Sequence, residues 1–214
     1  VPLIGAAQLL HGADVVVEYH GVRGDDTPGE VIADIVSRTP VDVSRYAVRP
    51  GSSPFTDVFS DPTYDSGRGE RTFVNNIGVA GEFAPGDLDD SFFGADILLF
   101  GATALVPRIH DGLTELLERG RKRGAVNVVG TVFDFRNEKA RPGRRWPLGA
   151  SDASYRLMDL LIADRDEALK LSGAADLDGA AAFFREKGVS AFALTHGPRP
   201  VCVFSDGRFF QPTD

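Results

Sequence analysis

The chain has one cysteine, one methionine and one tryptophan in 214 residues. A lone Cys202 within the apolar run 201–204 cannot form an intrachain disulfide, so it reads as a buried thiol in a reducing, cytoplasmic setting. No apolar run approaches bilayer-spanning length, and the start Val1-Pro-Leu-Ile lacks the charged opening and cleavage pattern of a signal peptide, so a soluble protein without a membrane partner is expected. Positive charge is scarce. The formal net charge is -8, and Lys and Arg cluster only at 119–123 and 136–145, which argues against a nucleic-acid surface. Walker-type and Gly-x-Gly-x-x-Gly phosphate loops, a Gly-x-Ser-x-Gly elbow and a His-Glu-x-x-His pair are all missing. His11, His20, His110 and His196 have no partners at metal-ligand spacing and read as non-ligands.

With 43% hydrophobic residues, the chain can build one sizeable core but is short for two full domains. Residues 3–11 read as a helix of small residues, stopped by Gly12 before a buried strand at 14–19. Thr27-Pro28-Gly-Glu30 predicts a helix with Thr27 as N-cap, a proline at its first position and a capping-box glutamate. Segments 56–60 and 71–75 alternate polar with apolar residues around the turn-rich stretch 61–69, as in an antiparallel flap with one wet face.

Continuous apolar strands then recur at 97–100, 126–129, 160–163 and 191–194, with helices between them, notably at 105–119 and 180–187. Such strands predict an α/β fold whose mainly parallel sheet is buried on both faces by helices. A hairpin is expected from 201–205 and 208–210 around Asp206-Gly207. The Arg-, Pro- and Gly-rich segment 137–152 is long for a crossover connection, either a mobile solvated loop or one that closes over a ligand.

Two motifs carry chemistry. Asp164 and Glu167 stand at a helix start after the apolar strand 160–163, where capping alone explains an acidic pair but where α/β proteins also bind phosphates. Thr195-His-Gly197 follows the apolar strand 191–194; its hydroxyl can donate to a phosphate and its glycine permits close backbone approach. In order and spacing these motifs resemble the ribokinase-like (PfkB) carbohydrate kinases. The resemblance extends to Gly21-Val-Arg-Gly24-Asp25-Asp26, to Gly69-Glu-Arg-Thr-Phe73 with Asn75-Asn76-x-Gly78, and to Asp134-Phe-Arg136.

The resemblance implies an incomplete ribokinase-like domain over 1–214 with a small β-strand lid at roughly 41–76. It implies ATP and Mg2+ as cofactors and transfer of the γ-phosphoryl group to a hydroxyl of a sugar or sugar acid. Asp164, Thr195, Gly197 and Arg136 would face the nucleotide, Glu167 the metal, and Asn75, Asn76 and Asp25 the sugar. For Asn75 and Asn76, turn chemistry is the competing reading; for Asp25, a loop role. The family's Asn-x-x-Glu begins with Asp164 here, and its Asp-x-Asn-x-Arg is shifted in register at Asp134-Phe-Arg136-Asn-Glu138. The family's Gly-Gly-x-x-x-Asn would fall at or before Val1, and its catalytic Asp in a turn C-terminal to Asp214, so residues 1–214 alone are expected to retain at most residual activity. A non-catalytic sugar- or nucleotide-binding protein and a nucleoside kinase stay open beside the sugar kinase. Lid strands offer an edge and an apolar face that a second copy could cover, giving a homodimer.

Overall fold

A computed structural model describes residues 2–67 and 69–208. The chain divides into two compact units, Val1–Phe83 and Ala84–Asp214.

In the first unit, α1 spans Pro2–Leu9. The strand expected at 14–19 does not form. These residues make only a single bridge, Glu18 to Asp42, and Val15 and Val16 are exposed, because no neighbouring strand lies alongside to complete a ladder. Pairing begins instead at β1, Gly21–Gly24, which runs parallel to β2, Tyr46–Arg49. Between them, α2 covers Thr27–Ser37. Its N-cap is Asp26, one residue earlier than the Thr27 expected: Asp26 has extended backbone and its Oδ1 accepts the Gly29 N–H at 3.0 Å.

The flap is a two-stranded antiparallel ribbon of β3, Phe55–Asp61, and β4, Glu70–Asn76, joined through a short helix α3, Tyr64–Gly67. Phe55 lies opposite Asn76, and Thr56 opposite Asn75. One wet face was expected, yet every residue of β3 is exposed, because a lone ribbon has nothing packed on either side.

The second unit is built on a five-stranded sheet: β5 Ile97–Gly101, β6 Val126–Gly130, β7 Leu160–Asp164, β8 Ala191–His196 and β9 Arg199–Ser205, side by side in that order. The first four are parallel, and β9 returns antiparallel to β8. The hairpin is therefore β8–β9, turning at Gly197 (φ 54°), and the strand expected from 208 to 210 falls on residues of which all but Arg208 lie outside those described. Cys202, expected to be buried, is only partly so, since β9 is an edge strand.

The connections carry α4 Pro107–Asp111, α5 Leu113–Arg123, α6 Phe135–Ala140, α7 Arg165–Ser172 and α8 Leu177–Glu186. The helix expected over 105–119 is broken at Gly112, and its second half is amphipathic: Leu113, Leu116 and Leu117 are completely buried, while Arg121, Lys122 and Arg123 occupy its last turn. The core lies between these helices and one face of the sheet, where Leu98, Phe100, Val129, Leu161 and Leu194 are buried with Phe184 of α8. Against the expectation of strands buried on both faces, Ile97, Leu99 and Ile162 on the opposite face are exposed. No helix among the described residues is long and apolar enough to cross a membrane.

The segment 137–152, for which a mobile solvated loop was one expectation, is packed instead. Trp146 is only 2% exposed, its Nε1–H donates to Glu138 Oε2 at 2.8 Å, and its backbone N–H donates to the Lys170 carbonyl at 2.9 Å. Lys170 in turn pairs with Glu138 at 2.7 Å, and Arg145 pairs with Asp152 at 2.7 Å. One aromatic side chain and two ion pairs hold a stretch whose composition alone resembles a linker.

Candidate functional site

In a parallel sheet with sequential crossovers, the loops after the strands gather at its carboxyl edge, which is where α/β proteins position ligands. Here that edge collects Thr103 after β5, Thr131 and Asp134 after β6, Asp164 and Glu167 after β7, and Thr195 at the end of β8. The ladder register makes Asp164 and Thr195 direct neighbours, so the two motifs read separately in the sequence meet on adjacent strands. Thr195 is exposed, and Gly197 turns the hairpin two residues later.

Asp164 and Glu167 form a capping box. Asp164 Oδ1 accepts the Glu167 N–H at 2.8 Å, and Glu167 Oε2 accepts the Asp164 N–H at 3.1 Å. The same Glu167 oxygen accepts the Thr131 hydroxyl at 2.5 Å, tying the start of α7 to the end of β6. Burial pushes the Glu167 carboxyl above its usual range, and the hydrogen bond from Thr131 opposes that shift. Capping thus explains where this pair sits without excluding a ligand beyond it. No group of three or more His, Cys, Asp or Glu suited to a metal ion exists among the described residues.

Beside the capping box lies a small polar and apolar cavity lined by Thr103, His110, Thr131, Asp134, Trp146 and Leu148, among others, with room of about 10 Å³, the scale of one water. His110 is its hub and was passed over in the sequence because its partners are distant along the chain. Its Nε2 faces two acceptors, Asp134 Oδ2 at 3.4 Å and the Pro147 carbonyl at 3.3 Å, which puts the proton on Nε2 and leaves Nδ1 to accept the Thr103 hydroxyl at 3.1 Å. Only Asp134, as part of a matched motif, could have flagged the cluster.

Arg136, expected to face a phosphate, makes a two-pronged pair with Asp111, Nη1 donating to Oδ2 at 2.9 Å and Nη2 to Oδ1. Its buried Nε has no partner among the described residues. The hydrogen bond from Arg136 holds the Asp111 carboxyl below the usual range.

Burial lowers the basicity of His110, against the pull of Asp134. The unfolded imidazole takes up its proton near pH 6.5 and the folded one only at lower pH, so the stability that the neutral ring contributes is complete above about 6.5. It is lost as pH falls toward the folded value. Urea midpoints at pH 7.5 and 5.5 should drop more for the wild type than for His110→Gln; equal drops would remove His110 as the source.

The sugar-side residues of the expectation lie in the first unit, where each has a local role. Asn75 Oδ1 accepts the Thr56 hydroxyl across the ribbon at 2.7 Å, and Asn76 Oδ1 accepts the Gly78 N–H at 3.1 Å, which is turn chemistry. Asp25 Oδ1 accepts the Gly51 N–H at 2.9 Å, while Asp26 holds Ser53 through its backbone N–H at 2.8 Å and its hydroxyl at 2.6 Å. Gly24 is required at that crossing, since a Cβ there would lie 2.1 Å from the Gly51 carbonyl oxygen.

No family model matches the sequence, and no curated protein matches it. Solved structures do. A PfkB protein from Polaromonas sp. JS666 superposes with a TM-score of 0.71 at 16% identity, covering 95% of this chain and 67% of its own. An E. coli protein provisionally named ribokinase II, solved in complex with ATP and Mg2+, gives 0.72 at 18% identity, covering 100% and 68%. The adenosine kinase of Sinorhizobium meliloti gives 0.73 at 20% identity, covering 95% and 58%. The chain therefore spans about two thirds of these structures or less. At such identities the likeness speaks to architecture, and the chain has the ribokinase-like α/β fold: a mostly parallel sheet with flanking helices, shared with PfkB sugar and nucleoside kinases.

Proposed function

We propose that residues 1–214 are the central part of an ATP-dependent sugar kinase, which transfers the γ-phosphoryl group of ATP to a hydroxyl of a sugar or sugar acid. The observation that carries this reading is the meeting of Asp164 and Thr195 on neighbouring strands at the carboxyl edge, directly before the N-terminus of α7. That arrangement offers a hydroxyl, a glycine turn and an acidic pair to one polyphosphate and its cation. The solved complex of the E. coli relative with ATP and Mg2+ supports the choice of nucleotide and metal.

Magnesium usually keeps several waters and needs only one or two carboxylates, so the lack of a three-ligand cluster is compatible with it. Glu167 and Asp164 would hold the hydrated ion, which when bound neutralises charge on the transferring phosphoryl group. Thr195 and the Gly197 turn would contact phosphate oxygens, and Arg136 would join them only by turning its guanidinium away from Asp111. On the sugar side, Asn75, Asn76 and Asp25 would contact substrate beneath a lid built from β3 and β4, whose closure would exclude water and suppress ATP hydrolysis. The general base would lie outside 1–214, and the reaction would take place in the cytoplasm.

Glu167→Gln separates function from folding. The amide keeps an oxygen for the Asp164 N–H and the Thr131 hydroxyl and removes a charge that burial disfavours. Urea stability should therefore hold or rise slightly, while Mg2+-dependent ATP binding, measured by calorimetry, should fall about tenfold or more, an energy on the scale of one charged contact. Unchanged ATP affinity would remove Glu167 from the metal site. The native polypeptide, given Mg2+ and ATP, should phosphorylate a member of a broad sugar panel; no product from any sugar would refute the kinase.

The engagement of both acidic side chains in the capping box favours, as a second reading, a protein that binds sugar or nucleotide without turnover. Tight sugar binding with no sugar phosphate would establish it. Strong competition by adenosine would instead indicate a nucleoside kinase. Dimerisation through the ribbon, whose Phe59, Phe73 and Val74 are exposed, belongs to the same proposal and would register as a doubled mass in light scattering.

A further inference from the structure

Arg136 combines a fixed backbone with a side chain that is open to water. Asp134 is buried, its Oδ1 accepts the Asn137 N–H at 3.0 Å, its Oδ2 accepts the Asn137 side-chain amide at 2.5 Å, and the buried His110 faces the same Oδ2 at 3.4 Å. These contacts fix the start of α6, and Arg136 is the second residue of that helix. The side chain of Arg136, by contrast, is 36% exposed, and that of its partner Asp111 on α4 is 63% exposed. Two consecutive residues of α4 therefore engage the two charged residues that open α6, His110 in the interior and Asp111 at the surface. The guanidinium donates end-on, Nη1 to Oδ2 and Nη2 to Oδ1 of Asp111, which leaves its Nε–H buried without a partner among the described residues. A buried donor left unpaired carries a desolvation cost, so the guanidinium is not fully satisfied where it stands.

Carboxylate and phosphate both present paired oxygens to the guanidinium fork, and arginine grips either one in the same two-pronged way. Asp111 therefore takes up the two donors that a phosphate would use. We propose that Asp111 is a built-in competitor for an anionic ligand: its carboxylate holds Arg136 until a polyphosphate displaces it, and so sets the affinity of this part of the carboxyl edge for that anion. Arg136 stands on the connection that leaves this edge after β6, so the backbone already places the arm near it and only the side chain has to swing. The exposure of the pair suits such an exchange. An ion pair this open to water holds weakly and yields to a ligand with several negative charges, whereas breaking a buried pair would strand an uncompensated charge in the interior. Naming the anion as the polyphosphate of ATP rests on the kinase reading; the competition itself does not.

The test uses the native polypeptide. Asp111→Asn removes the charge at nearly constant shape, Asp111→Ser repeats the change with a shorter side chain, and circular dichroism matching the wild type confirms that each variant is folded. Calorimetry with Mg2+ and ATP should show both variants binding about two- to fivefold more tightly than the wild type, the scale of one exposed ion pair, with the gain shrinking at high salt. The gain should vanish when Asp111→Asn is combined with Arg136→Gln and compared with Arg136→Gln alone. Unchanged or weaker binding by the two Asp111 variants would overturn the competition. So would a gain that persists beside Arg136→Gln, since it would report only the loss of a nearby negative charge. Failure of the kinase reading registers differently: a wild type that does not bind ATP removes that reading, and inorganic triphosphate then serves as the probe, with a gain that requires Arg136 supporting the role of Asp111 and the lack of one refuting it.

Discussion

Trp146→Ala is expected to lower the stability of the protein by about 3–5 kcal/mol, the usual range for removing a large aromatic from a core. The indole is 2% exposed and packs edge-on against Phe133 at 4.8 Å between ring centroids. Its Nε1–H donates to Glu138, which also receives Lys170, so the truncation opens a cavity and removes one of three anchors of the segment 137–152. A kinetic consequence follows. That segment carries tryptic sites at Lys139, Arg144 and Arg145, so trypsin should cut the variant there under conditions in which the wild type is resistant. Peptide mapping after brief digestion reads this directly; equal cleavage of the two proteins would mean that the ion pairs alone hold the segment. Because Trp146 is the chain's single tryptophan, unfolding is followed by circular dichroism.

Asp159→Ala should cost about 2–3 kcal/mol. Asp159 is buried between two strands' worth of structure: Oδ2 accepts the backbone N–H of Asn127 in β6 at 2.8 Å, and Oδ1 accepts Arg121 of α5 at 3.0 Å. Removing it leaves a buried backbone N–H without its acceptor, a loss of about 1–3 kcal/mol. Arg121 adds less than a fully buried partner would, since its side chain is 37% exposed and regains water. Asp159→Asn retains an acceptor oxygen and should lose clearly less. Urea midpoints for the two variants decide it: equal losses would mean that neither hydrogen bond matters and that the effect is one of shape.

Much of the second unit was legible in advance because its signals are local and strong. The apolar runs at 97–100, 126–129, 160–163 and 191–194 coincide with β5 to β8, and a run of that length bounded by polar residues has few other places to go. Asp164 and Glu167 could be assigned to a capping position from spacing alone, since three residues is one helical turn. The first unit was harder to read. Residues 14–19 have the composition of a strand, but a strand exists only by pairing, and its pairing is confined to one bridge. The shift of the α2 cap from Thr27 to Asp26 has a similar origin, because Ser53, 27 residues away in sequence, fixes the Asp26 carboxylate.

The His110 cluster shows the limit most clearly. Thr103, Asp134 and the Pro147 carbonyl reach this ring from three separate connections, at spacings that follow no helical or strand period. The packing of 137–152 is a second case, since arginine, proline and glycine describe a loop but do not say whether one tryptophan will pin it. By itself the sequence determined the class of fold, the positions of β5 to β8 and the order of the sheet-edge motifs, all of which depend on residues near one another along the chain. Tertiary structure alone decided that Asp164 and Thr195 are neighbours, that His110 is neutral and buried, that Arg136 is engaged by Asp111, and that one face of the sheet is bare. Each of those depends on the register and handedness with which distant segments come together, and neither is written in any local stretch of residues.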